Sequence, residues 1–166
     1  MRRLKKTAKA GMIEDRKQQG ALRRKEDETM IAAVCIGEGN GMLFNRRRVS
    51  RDRRQQADLL SLCGERRLWL NGYSAPLFAD VSDRITVDED FLEKAGSGEV
   101  CFVEDQPLAP AADRVEAVVL YRWNRAYPAD VRFDFDLTDF RLEERTEFPG
   151  ASHEKITREL YRRKER

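Results

Sequence analysis

The 166 residues carry 32 Lys and Arg against 30 Asp and Glu, with 37% charged and 40% apolar residues. That length bounds one domain with a thin core and a heavily solvated surface. One His, no Cys-x-x-Cys and three scattered cysteines argue against a structural zinc site, a His-rich metallohydrolase and a disulfide framework. The absence of an apolar run of about 20 residues argues against a membrane span. Together these features predict a cytoplasmic protein with three buried thiols, Cys35, Cys63 and Cys101.

Charge divides the chain. Residues 1–29 hold ten Lys and Arg against five Asp and Glu, whereas residues 30–166 hold 22 against 25. The first segment has four large apolar residues, Leu4, Met12, Ile13 and Leu22, too few to offset the entropy of ordering. It reads as a disordered basic tail that could meet nucleic acid, or as sequence ahead of a true start at Met30. Residues 30–166 read as the folded domain.

Within that domain, residues 31–36 form a continuous apolar run, as in a strand buried on both faces. A glycine-rich loop follows, Gly37-Glu-Gly-Asn-Gly41, and then Arg46, Arg47, Arg48, Arg51, Arg53 and Arg54 within nine residues. Ser50 is the predicted N-cap of a helix running to Cys63 and stopped by Gly64. Its Gln56, Leu59, Leu60 and Cys63 share one face with Asp52. Residues 68–70 and 85–87 are short strands, and Asp88 caps a short helix carrying Phe91, Leu92 and Ala95. Residues 100–103 are a further apolar strand, 107–113 a short helical connection, and 115–121 a long strand. Beyond Pro128 the period changes to two, with Val131, Phe133 and Phe135, then Phe140 and Leu142, and a last strand over 156–161. Buried strands with helical crossovers and an alternating end predict an α/β fold, a mixed, mainly parallel sheet with antiparallel C-terminal strands.

This order of elements resembles dihydrofolate reductase over most of residues 30–164. The glycine loop and Met42-Leu-Phe-Asn45 are similar to that family's Gly-Ile-Gly…Leu-Pro-Trp-Asn segment, with Leu43 for Pro and Phe44 for Trp. Asp52 is similar to the acidic residue that meets the pterin ring, and Leu70-Asn-Gly72 to the Met-Gly that ends the next strand. The segments 127–133, 137–142 and 153–162 resemble the family's closing strands. The resemblance implies a ligand pocket lined by Gly41, Met42, Phe44, Asn45, Asp52 and Gly72, with Asp52 anchoring a nitrogen heterocycle; no catalytic residue is assigned.

The departures all concern the cofactor. Glu104-Asp105 stands where the family's Gly-Gly approaches the pyrophosphate, and Tyr73-Ser74 where its Arg-Thr meets phosphate. Each unit-charge repulsion at about 4 Å costs roughly 1–4 kcal/mol. The segment between Gly72 and Ile85 is short for an adenosine-binding strand and helix. NADPH binding in the family's usual way is therefore not expected, and the chain reads as a pseudoenzyme or a module for a heterocycle or nucleotide. A different reading is a nucleic-acid-associated protein using the tail and the arginines; a third is a residual reductase with a rebuilt cofactor site. Arg46, Arg47, Arg48 and Arg51 are the candidate anion binders, against a plain solvated face, because guanidinium forks suit phosphate. Glu104 and Asp105 are a weak candidate for a cation. Trp69, Tyr121 and Trp123 are expected in the core. His153 is expected to be a turn residue, since no Ser or Cys visibly pairs with it to build a triad. Ligand, pathway and oligomeric state stay open at this level.

Overall fold

The computed structural model describes residues 29–165. The expectations for residues 1–28 lie outside the described residues.

Seven strands form the main sheet: β1 (Met30–Glu38), β4 (Leu68–Leu70), β5 (Ile85–Val87), β6 (Glu99–Phe102), β7 (Val115–Ala126), β9 (Phe140–Phe148) and β10 (Ile156–Arg163). Their order is β5-β4-β6-β1-β7-β10-β9. The pairs β4–β5, β4–β6, β1–β6 and β1–β7 are parallel, and β10 is antiparallel to both β7 and β9. The four apolar runs read as central strands are β1, β4, β6 and β7, each with a neighbour on both sides. The two closing strands are antiparallel, as expected. Continuous apolar runs lie in the middle because both faces of the sheet are covered there.

One face carries helix α1 (Arg53–Cys63), whose Leu59 and Cys63 pack with Leu68, Phe78, Phe102, Tyr121 and Trp123. The other packs Phe91 and Leu92 of the short helix α2 (Phe91–Lys94) with Val34, Ile36, Val118 and Leu120. The connections before β5 and β7 are 3-10 turns, Ala75–Arg84 and Ala109–Arg114. Among the described residues no helix is long and apolar enough to cross a membrane.

Five expectations need correction. The short helix α2 is capped at Asp90 and not at Asp88. The arginine run does not enter the helix directly: β2 (Gly41–Phe44) and β3 (Arg47–Arg48) form a hairpin, joined by β8 (Val131–Arg132) into a small antiparallel sheet. Asn45 and Arg46 at its tip both have positive φ, 53° and 64°, the backbone that a two-residue hairpin turn needs. The helix cap is Asp52, not Ser50. The buried glutamine of α1 is Gln55 rather than Gln56, in step with Leu59 and Cys63 at intervals of four. Finally, the alternation at 131–135 yields only the two-residue β8; Phe133 and Phe135 turn toward the core without a strand ladder of their own.

Candidate functional site

Two polar clusters stand out from this frame. The first joins the β2–β3 hairpin to the carboxyl ends of β4 and β6, the sheet edge where open α/β folds bind their ligands. Glu104, two residues beyond β6, is buried and accepts from Arg48 Nε at 2.9 Å, Arg48 Nη2 at 3.2 Å and Ser74 Oγ at 2.7 Å. Arg48 also donates to the Tyr73 carbonyl, and its guanidinium lies 4.7 Å from the Tyr73 ring centre. Tyr73 Oη accepts from the Arg48 amide at 2.8 Å. Asp105 accepts from Asn71 Nδ2 at 2.9 Å, and Glu89 accepts from the Gly72 amide at 2.8 Å. Burial disfavours the Arg48 charge, but the Glu104 hydrogen bond and the Glu104, Tyr73 and Asp105 charges outweigh it and raise its pKa. The groups at this edge answer one another.

The second cluster surrounds the start of α1. Asp52 caps the helix through Oδ1, which accepts from the Arg54 amide at 2.8 Å. The same carboxylate accepts from the Ala151 amide at 3.0 Å and from the Ser152 amide at 2.8 Å. His153 Nδ1 is 3.0 Å from Oδ2. Burial pushes the Asp52 pKa up, but these hydrogen bonds from Ala151, His153, Ser152 and Arg54 prevail and hold the carboxyl well below its usual range. An ionised carboxylate only accepts, so Nδ1 donates to it, and in the neutral ring that tautomer makes Nε2 the acceptor. Ser50 Oγ lies 2.9 Å and Tyr127 Oη 3.0 Å from Nε2, and Tyr127 donates to Ser50 Oγ at 3.2 Å. Trp123 stacks on the imidazole with centroids 4.5 Å apart.

His153 is thus in a turn, as expected, yet it is buried and does have a serine partner. The expectation that no nucleophile pairs with it is corrected, because the partner is Ser50, 103 residues away. The turn around Asp52 requires glycine at 150: a Cβ there would stand 2.6 Å from Asp52 Oδ2 and 2.8 Å from the His153 carbonyl oxygen. The Pro149-Gly150 pair was the available sequence signal for that turn. Trp123 Nε1 and Gln55 Nε2 are buried donors without a hydrogen-bond partner among the described residues.

The remaining candidate residues scatter. Met42 is buried in the core, and Gly41 is packed so closely that a Cβ would lie 2.5 Å from Ala129 Cβ. Gly72 is exposed, with its amide taken by Glu89. Phe44 is 45% exposed, and with Asn45, Arg47, Arg48, Val49, Tyr127 and Pro128 it lines an open groove of about 530 Å³. Arg46, Arg47 and Arg51 are exposed, whereas Arg48 is committed to Glu104. Tyr121 and Trp123 are buried and Trp69 partly so. Burial keeps all three thiols protonated: it raises the Cys35 pKa well above the ordinary value, Cys63 to about 11 and Cys101 to about 12. No three His, Cys, Asp or Glu side chains among the described residues are placed to hold a metal ion.

No protein-family model matches the chain, and no curated protein matches it in sequence. In three dimensions it is similar to the dihydrofolate reductase from Enterococcus faecalis complexed with NADP(H) and RAB-propyl. The two share 8% sequence identity and a TM-score of 0.62, over 84% of this chain and 98% of that one. At that identity the likeness speaks for architecture: the chain has a dihydrofolate reductase-like fold.

Proposed function

We propose that this fold serves here as a binding module for a small anionic aromatic ligand of the nucleotide or heterocycle class, and not as an NADPH-dependent reductase. The observation that carries the reading is the groove beside the hairpin. Phe44 offers an exposed ring, Arg47 an exposed guanidinium without a partner among the described residues, and Tyr127 and Pro128 complete the lining. A flat apolar surface next to a guanidinium fork suits a ring joined to a phosphate or carboxylate. Arg46, exposed at the hairpin tip, adds a second guanidinium next to Arg47.

The groups at the carboxyl ends of β4 and β6 do not fit the fold's usual dinucleotide. A pyrophosphate needs unpaired backbone amides or cations. Here Glu104 and Asp105 supply negative charge, Arg48 is neutralised by Glu104, and the Gly72 amide is taken by Glu89. Asp52 likewise spends its oxygens on backbone amides and His153, which leaves it poorly placed to anchor a pterin.

Titration calorimetry with AMP, GMP, a folate and a flavin mononucleotide tests this reading. One of these should bind, and Phe44→Ala with Arg47→Ala should weaken it by about tenfold each, the loss of one stacking or one charge-assisted contact. No binding across the panel would remove the proposal. A second reading, nucleic-acid binding, draws on exposed Arg46, Arg47, Arg51, Arg53 and Arg54 at the same end of the molecule. Affinity for RNA that falls steeply with salt, unaffected by Phe44→Ala, would favour it.

A further inference from the structure

We infer that Ser50, His153 and Asp52 form an acyl-transfer centre, with Ser50 as nucleophile toward activated carboxylic esters. The three side chains meet in the order such chemistry needs: Oγ 2.9 Å from Nε2, Nδ1 3.0 Å from the carboxylate. Their burial is graded in the same order. The His153 and Asp52 side chains are 2% and 0% exposed, whereas Ser50 is partly exposed. Ser50 also adjoins Val49 and bonds Tyr127, two residues that line the groove, which places it next to that groove.

The imidazole is held rigidly. Asp52 fixes its tautomer and Trp123 stacks on one face, so Nε2 points its lone pair at a hydroxyl without needing to reorganise. Asp52 is itself fixed by the amides of Arg54, Ala151 and Ser152 and acts as a positioning residue. The Tyr127 hydroxyl lies 3.2 Å from Oγ and 3.0 Å from Nε2; its single proton is given to Oγ, which leaves the Nε2 lone pair to the Ser50 proton.

The reaction balances without a cofactor. Ser50 Oγ forms a bond to the ester carbonyl carbon while its proton passes to His153 Nε2, and the carbonyl π pair moves onto oxygen. Collapse reforms the carbonyl and breaks the bond to the leaving alkoxide or phenoxide, which takes the proton from Nε2. Water, deprotonated by the same nitrogen, then attacks the acyl-Ser50 ester and releases the carboxylic acid and free Ser50. This activity goes beyond ligand binding in the groove and survives the failure of that reading, since a small ester needs neither Phe44 nor Arg47.

The test uses the full chain with p-nitrophenyl acetate and, separately, an alkyl fluorophosphonate, read by p-nitrophenol release, intact mass and peptide mapping. The expected result is a single adduct on Ser50, absent in Ser50→Ala. Asp52→Asn should lower the acylation rate about 100-fold with an unchanged half-saturating ester concentration, the mark of lost proton transfer rather than lost docking. Melting curves would show that each variant is folded. A folded wild-type chain that takes no label, or a label that persists in Ser50→Ala, would overturn the inference. Because the wild-type result is decisive alone, an unfolded variant does not shelter it.

Discussion

The edge above β4 and β6 and the centre at the start of α1 are both buried polar clusters, but they are built differently. At the edge, buried Glu104 is paired with Arg48 and Ser74, while exposed Asp105 accepts from the Asn71 amide group. At the helix start, one carboxylate collects backbone amides and contacts His153, whose other ring nitrogen meets the hydroxyl of Ser50, a partly exposed residue. The first arrangement has every feature of a structural clamp. The second has a direction, from a buried anchor to an accessible end. The contrast supports the two proposals together: the β4–β6 edge serves stability, and the Ser50 centre beside the hairpin groove is where reactivity is to be sought.

Substitutions can break that contrast. The largest expected effect comes from Asp52→Ala, which strands the Ala151 and Ser152 amides and His153 Nδ1 and removes the helix cap. The loss should be about 4 kcal/mol of unfolding free energy, read from urea denaturation. Glu104→Ala should follow at about 3 kcal/mol, because Arg48 is left partly buried without its partner. Adding Arg48→Met should recover part of that loss, a non-additivity that identifies the pair as a clamp. Equal, additive losses would mean that the edge is not a coupled unit.

Gly150→Ala should cost about 2 kcal/mol through overpacking against Asp52 and the His153 carbonyl. It should also reduce Ser50 labelling, because it displaces the turn that carries His153. The pH dependence has a definite sign. The Asp52 carboxyl is held below its usual value when folded, so its contribution is fully present above the unfolded value of about 4 and is lost as pH falls further. Glu159, where burial is outweighed by Arg122 and Arg145, adds stability lost in the same direction. Denaturation midpoints measured between neutral and acid pH should fall below that point, and more shallowly in Asp52→Ala. The smallest effect on stability is expected for Phe44→Ala, within about 0.5 kcal/mol, since that ring is exposed. Its measurable consequence should be confined to ligand affinity.

The sheet was legible from residues 31–36, 68–70, 100–103 and 115–121, because strands covered on both faces leave unbroken apolar runs. The hairpin at 41–48 was not, since its strands are short, one is arginine-rich, and Asn45 and Arg46 adopt positive φ without glycine. Ser50 and Asp52 are both good caps by residue type. What selects Asp52 is a turn about 100 residues downstream that surrounds its carboxylate. The same separation hid the Ser50–His153 pair and the Arg48–Glu104 pair, whose partners lie 103 and 56 residues apart.

Steady-state oxidation of saturating NADPH by dihydrofolate, with Asp52→Asn as control, tests the central claim most directly. The proposal rests on Glu104 and Asp105 placing negative charge at the β4–β6 edge, with Arg48 held by Glu104 and the Gly72 amide by Glu89, and positioning of the nicotinamide against the pterin accounts for much of the barrier to hydride transfer. The account predicts a rate indistinguishable from that of the protein-free mixture. Robust turnover by the wild-type chain, abolished in Asp52→Asn, would contradict it and assign the carboxylate to pterin chemistry after all.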